Sequence, residues 1–402
     1  MRFDAKERRI LLCVCAAYMV AYIGRMNYSA AMPLIMADLS LTETALGAVQ
    51  TVFAVVYAAG QLVNGTIATR FDARRYVVSG LILSGTANLL FALTRTVLGM
   101  SIVWGLNAVA QAMLFTPLVS IISASFDGKK RTSVSLIFSV CIVIGHLLSW
   151  AIAGVMADLF SWKLSFVVPG LIMIADAVCF YLLMPSAKAA EKTVKAETKR
   201  ISFRDMLLKT GLGFMFLSCI ASGFALEGVL TWAPTILNGM FSDGGALSGT
   251  MLSLIIPCVK LGGLFLCQYF ARRVDTDFGK TIMLMLGVSF VFTGLSYAAY
   301  GFGSLLFTLM LGVMCAAIYS VTNVQSVRLP VEYAGTGRVP QIAGIADSMI
   351  HLGYAFSDIL SGVVLQHYGV KAVLAVWGAA ILIAVPLMLV SNRSAKSYKA
   401  NA

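Results

Sequence analysis

Arg25 interrupts the apolar run 10–36 near its middle, out of easy reach of either end. Its guanidinium presents a planar fork of donors that matches a carboxylate or a phosphate. Tyr18, Tyr22, Tyr28, Ser29 and Met32 fall at helical spacing around it and make a polar-aromatic stripe. The alternative is an arginine paired with an acid to lock two helices. Lys260, in "PCVKLGG", is likewise deep in an apolar run with no adjacent acid. It is a second candidate anion ligand, unless it snorkels to a surface or pairs with Glu227. Glu227 itself reads as a proton-coupling carboxylate, a partner that releases Arg25 or Lys260, or a fixed ion pair. Asp347, His351, Tyr354 and Asp358 share one helical face over three turns, and the histidine titrates near neutral pH. That face reads as a proton path or as interhelical hydrogen bonding. His146 is a site residue or a satisfied helix contact, and the Asn107/Gln111 pair is a weaker candidate. Asp176 carries less weight.

Other chemistries lack their residues. The eight cysteines show no CxxC spacing and read as small buried hydrophobes, the three histidines make no zinc pattern, and no P-loop is present. No cofactor, metal or catalytic group is expected. The net charge of +12 raises a nucleic-acid partner, but a nucleic-acid binder gathers its basic residues on one soluble face. Here they fall in short clusters between apolar runs.

The elements that must position these groups follow from composition. The chain has 402 residues, 59% hydrophobic and 12% charged; a soluble domain carries about 25% charged residues. Its surface must therefore meet lipid. A spanning helix needs about 20 apolar residues, and twelve runs qualify: 10–36, 44–69, 75–94, 99–125, 132–158, 163–185, 207–239, 246–271, 280–300, 303–327, 340–366 and 370–391. The first is not a cleaved signal peptide, since Arg25 and Asn27 interrupt it and no A-x-A-like site ends it.

All but five of the 30 Lys and Arg residues fall in one set of loops, from Arg2–Arg9 through 188–209 to Arg393–Lys399. The opposite loops hold Arg95, Lys163 and Lys371, and Arg25 and Lys260 lie within runs. The positive-inside bias places both termini in the cytoplasm. The polar segment 186–205 separates six runs from six, giving an N-terminal bundle over 1–185 and a C-terminal bundle over 206–402. "MPLIMADLSLTETALG" aligns without gaps on "APTILNGMFSDGGALS", matching Pro33 to Pro234 and Ala45-Leu46 to Ala246-Leu247 at one offset of 201. Such duplicated halves are how alternating-access carriers are built, with the site at the midplane between them.

"NGTIATRFDARR" (Asn64–Arg75) resembles the G-x-x-x-D-R-x-G-R-R loop of the major facilitator superfamily: Gly65, Arg70, Arg74 and Arg75 fit, Thr69 replaces the usual Asp, and Asp72 follows three residues later. "SWKLSFVVPG" (Ser161–Gly170) resembles that superfamily's entry to span 6. More narrowly, "YIGRMNYSAAMPLI", "LNAVAQAMLFTP", His146 and "EGVLTWAPTIL" are similar to segments of the organophosphate:phosphate antiporters, the glycerol-3-phosphate and hexose-phosphate transporters. The resemblance implies a gating role for Gly65, Arg70, Asp72, Arg74 and Arg75. It also implies that Arg25 grips an anionic substrate. The second arginine of that family falls on Leu226, and its lysines fall on Met26 and Gln61.

These readings combine into an all-α membrane protein of the major facilitator fold, a monomer in a bacterial inner membrane. The expected function is secondary transport of a small organic anion, proton-coupled and by alternating access. Arg25, Lys260, Tyr22, Tyr28, Gln61, Gln111, His146 and Trp232 are the candidate substrate contacts; Glu227, Asp347, His351 and Asp358 are the candidate coupling groups. Phosphate-ester exchange, multidrug or metabolite efflux, and a non-transporting membrane sensor are the rivals.

Overall fold

The computed structural model describes residues 3–67, 71–126, 128–185, 207, 210–240, 249–273, 278–329 and 339–400. Its regular elements are α1 (Ala5–Leu39), α2 (Glu43–Ile67), α3 (Ala73–Phe91), α4 (Val97–Ala112), α5 (Phe115–Ser125), α6 (Gly128–Leu159), α7 (Leu164–Leu183), α8 (Leu212–Gly239), α9 (Gly249–Ser253), α10 (Ile255–Arg273), α11 (Phe278–Ala299), α12 (Ser304–Asn323) and α13 (Val339–Ala400), with a π-helical turn at Val324–Arg328 after α12. No strand occurs among the described residues. Helix is the only extended structure that satisfies every backbone group inside lipid without closing a barrel.

Nine stretches among the described residues are long and apolar enough to cross a membrane. One of them, Ile342–Ala395, is 54 residues long and breaks at Gly369, whose φ of 77° is left-handed. It holds the two expected runs 340–366 and 370–391. Together with α3 and the α9–α10 pair, the described helices accommodate all twelve expected crossings. Leu83, Leu182, Val291 and Ile383 are exposed at the helix exteriors, where a soluble protein would place charge. The chain is an integral membrane protein. The segment 186–205 lies outside the described residues.

Local chemistry sets the helix ends. Asp4 and Glu7 form a capping box at the start of α1, and Lys130 of α6 reaches Glu7 at 2.7 Å. Pro33 and Pro234 both lie inside their helices, α1 and α8, at the equivalent point of each half. Helices pack closely where side chains vanish. A Cβ at Gly223 of α8 would lie 2.3 Å from the Ile350 carbonyl of α13, and one at Gly353 would lie 2.1 Å from the Ile220 carbonyl. Membrane helices associate by this backbone approach because lipid offers no hydrophobic contrast.

The two halves meet at the face opposite the N-terminus. There Thr44 of α2 donates to Gln366 of α13 at 2.5 Å, and Thr51 donates to the Ala355 carbonyl at 3.0 Å. Trp232 of α8 fills the corner: a Cβ at Gly47 would come within 3.1 Å of its ring and one at Gly362 within 2.8 Å. This face is shut.

Candidate functional site

A cavity of about 790 Å³, counting the part that opens to solvent, lies between the halves. Its lining includes Tyr18 and Tyr22 of α1, Phe115 of α5, Asn323 at the end of α12 and Asp347 of α13. These positions lie toward the face that carries the N-terminus, so the cavity opens there while the other face is closed. The cavity is therefore accessible from one face.

Arg25 sits in this lining and is 5% exposed. Three rings surround its guanidinium, with centroids 4.4 Å away for Tyr57, 5.2 Å for Phe53 and 5.8 Å for Tyr22. Aromatic faces stabilise a cation without neutralising it. Its Nη2 donates to His351 Nε2 at 3.4 Å, and Nε has no hydrogen-bond partner. Because Arg is donor-only, His351 must accept on Nε2 and carry its proton on Nδ1, which donates to the Asp347 carbonyl at 2.9 Å.

Lys260 of α10 enters the cavity from the other half and is 1% exposed. Its Nζ stands 3.0 Å from His146 Nδ1 of α6 and 4.7 Å from the Tyr319 ring. As an ammonium it only donates, so His146 accepts on Nδ1 and keeps its proton on Nε2, which has no partner and lies edge-on to Trp150. Each cation therefore takes a neutral histidine from the opposite half. Among the described residues, neither is salt-bridged to a carboxylate. The alternative pairing of Lys260 with Glu227 is not formed.

Glu227 also lines the cavity. Its Oε1 accepts from Gln50 Nε2 of α2 at 3.4 Å and from Thr231 Oγ1 at 3.2 Å, while Oε2 is buried without a partner. Gln50 is held in turn by Trp104 Nε1 at 2.9 Å.

The face of α13 is divided. Asp347, His351 and Tyr354 line the cavity, but Asp358 does not. Eleven residues of helix cover about 16 Å, which carries Asp358 past the cavity floor into the closed face. There its Oδ1 lies 2.9 Å from Thr231 Oγ1 and its Oδ2 is unpartnered.

Several expected contacts lie outside the cavity lining. Tyr28 is buried against Trp104 and donates to the Leu46 carbonyl at 2.8 Å, pinning α1 to α2. Gln61 donates to the Tyr57 hydroxyl at 2.6 Å and so orients the ring over Arg25. Gln111 donates to the Ala21 carbonyl and to Ser84 Oγ, both at 2.9 Å. Trp232 packs in the closed face with Nε1 unpartnered. Asp176 Oδ2 is unpartnered on α7, away from the cavity. Of the loop residues, Arg70 lies outside the described residues and Gly65 ends up within α2. Asp72 caps α3 by accepting from Arg75 N at 3.0 Å, so the displaced acid serves as a helix cap. Arg74 stacks 4.2 Å over the Tyr181 ring, and Arg75 is exposed.

Sequence reasoning missed Tyr57, Phe53, Gln50, Tyr319 and Thr231. Only Thr231 carried a local signal, four residues beyond Glu227 on the same helical face. The others reach the site through packing between distant helices.

Comparison with known proteins agrees with this geometry. The membrane sensor protein UhpC of Salmonella typhimurium is 26% identical over 173 residues, 43% of this chain and 39% of that one. The chain thus aligns with well under half the length of that relative. The probable sulfoacetate transporter SauU of Cupriavidus necator is 23% identical over 90% of this chain and 88% of its own. The crystal structure of the nucleoside transporter NupG superposes with a TM-score of 0.72 at 16% identity, covering 96% of this chain and 98% of that one, which shows the fold. The Major Facilitator Superfamily model matches residues 14–339. With twelve crossings accommodated, a cavity between the halves and that match over most of its length, the chain belongs to the Major Facilitator Superfamily.

Proposed function

We propose that this protein is a secondary transporter of a small organic anion, working by alternating access. One observation carries the reading: Arg25 and Lys260, one from each half, are buried in a single cavity, and among the described residues no carboxylate is salt-bridged to either. A buried cation with no carboxylate in hydrogen-bonding reach is costly, and an anion that satisfies both at once repays that cost only when the two halves are drawn together. Binding is thereby tied to the rocking of the bundle 1–185 against the bundle 206–402.

The substrate class is a carboxylate, sugar acid, sulfonate or phosphate ester. The resemblance to organophosphate:phosphate antiporters and the similarity to SauU support an anion, and the repulsion of lipophilic cations by Arg25 argues against multidrug efflux. Protons are the coupling ion, and exchange against phosphate is the second reading. The protein works as a monomer without cofactor, catalysis or nucleic acid, in a bacterial inner membrane with both termini cytoplasmic. The open face is then the cytoplasmic one.

The test is uptake into proteoliposomes of glucose 6-phosphate, glucuronate and sulfoacetate, each with and without an imposed proton gradient. Accumulation of one of them that rises with an inward proton gradient supports symport. Uptake that depends on internal phosphate and ignores the gradient replaces symport with exchange. Binding of these anions without any transport would favour a sensor, as UhpC is named.

A further inference from the structure

Glu227 and Asp358 are both buried, and the hydroxyl of Thr231 stands between them, 3.2 Å from one carboxyl oxygen and 2.9 Å from the other. A hydroxyl has one proton to donate, and an ionised carboxylate can only accept. If both carboxyls were ionised, one of these two short contacts would bring oxygen lone pairs together inside a protein interior. Each carboxyl also keeps a second oxygen, Glu227 Oε2 and Asp358 Oδ2, that is buried with no partner. Two full negative charges with half their oxygens unserved is an arrangement that burial strongly disfavours.

We infer that Glu227, Thr231 and Asp358 form one proton-holding unit, with at least one proton shared across the Thr231 hydroxyl, and that this is the coupling proton. The inference rests on the transporter reading above and assigns the coupling site within it. It also moves that site away from the Asp347–His351 step, because His351 already accepts from Arg25 on one nitrogen and donates to the Asp347 carbonyl with the other.

The geometry suits a relay. Glu227 faces the open cavity, whereas Asp358 lies under the closed face, its backbone carbonyl 2.5 Å from where a Gly47 Cβ would stand. When the proton of Glu227 passes to Thr231 Oγ1 as the Thr231 proton passes to Asp358, one positive charge moves from the cavity side to the closed side. No covalent bond other than those O–H bonds changes. Gln50 ties Glu227, and Gly47 ties Asp358, to the other half. Parting the halves at the closed face removes Gln50 from Glu227 and Gly47 from Asp358, exposing Asp358 to water on that side. Among the described residues, the ionisable groups within electrostatic reach of the pair include Arg25, Tyr22 and Tyr28 on α1, Lys260 on α10, Cys315 on α12 and Tyr354 on α13. None of them hydrogen-bonds to either carboxyl.

The test is infrared spectroscopy of the reconstituted full chain, acid-minus-alkaline, with no anion added. The expected result is a protonated-carboxyl C=O band that disappears in both Glu227→Gln and Asp358→Asn, since Thr231 can serve the single carboxylate that remains. Thr231→Ser should keep the band and Thr231→Val should shift it, which separates a shared proton from a general loss of folding. A band that survives unchanged in both carboxyl variants overturns the inference. So does a spectrum in which each variant removes only its own separate band, or a band indifferent to Thr231→Val. Because no anion is present, any of these outcomes leaves the anion-site reading to its own experiment.

Discussion

Two buried polar clusters, one behind Arg25 and one under the closed face, are satisfied to different degrees. In the N-terminal half, Asn27 donates to Asn88 and to the Ser165 carbonyl, Asn88 and Asn107 both donate to the Gly24 carbonyl, and Ser84 joins Asn107 to Gln111. Among the side chains of Asn27, Ser84, Asn88, Asn107 and Gln111, Asn27 Oδ1 alone is left without a partner. In the C-terminal half, Glu227, Asp358 and Trp232 each retain a buried atom with no partner. A satisfied polar network rigidifies, whereas an under-satisfied one stores capacity for a ligand or a proton. The comparison teaches that the first cluster is a fixed frame behind Arg25, whereas the second leaves Glu227 and Asp358 each with an oxygen free to take a new partner.

The largest expected effect breaks the second region where it closes. Gly47→Leu places a side chain against the Asp358 carbonyl and the Trp232 ring. Transport should fall at least about tenfold, and cysteines introduced near Thr44 should label faster from that side; unchanged labelling contradicts the closed-face assignment. The next effect belongs to the first region. Asn88→Ala removes a donor to Gly24 and an acceptor for Asn27, so stability should fall by about 1–3 kcal/mol in a detergent unfolding series. The stabilisation produced by a bound anion should persist, because Asn88 touches no cavity atom. Tyr57→Leu sharpens the contrast in the other direction. Losing the ring nearest Arg25 should weaken anion binding by about 1 kcal/mol, roughly fivefold, with little change in unfolding temperature. At the bottom of the scale, Glu7→Gln severs the contact to Lys130 at the water-facing end of α1. The pair is only half-buried and stays in reach of water, where ion pairs contribute little, and neither stability nor binding should move measurably.

How much of this was legible beforehand follows from the solvent. In lipid, a charge inside an apolar run stands out, so Arg25, Lys260 and Glu227 could be picked from sequence and the cavity does gather them. The break at Gly369 fell between two runs already separated by His367, Tyr368 and Gly369. What sequence could not supply is partnership. His351 lies 326 residues from Arg25 and His146 lies 114 from Lys260, distances at which no periodicity speaks. Spacing correctly put Asp358 on the face of Asp347, but a shared face does not imply a shared depth, and three turns carried it out of the cavity. Tyr28, Gln61 and Gln111 lie on motif positions, and the structure uses them to hold helices and the Tyr57 ring. A motif marks where a family places polar groups, without saying which of them reach the lumen.

The central claim is that Arg25 and Lys260 together form an anion site between the halves. Thermal unfolding of the purified protein with glucose 6-phosphate, glucuronate and sulfoacetate tests it most directly, comparing wild type with Arg25→Ala. At least one of the three should raise the unfolding temperature of wild type and leave that of Arg25→Ala where it stands without ligand. An equal rise in both proteins would contradict the account.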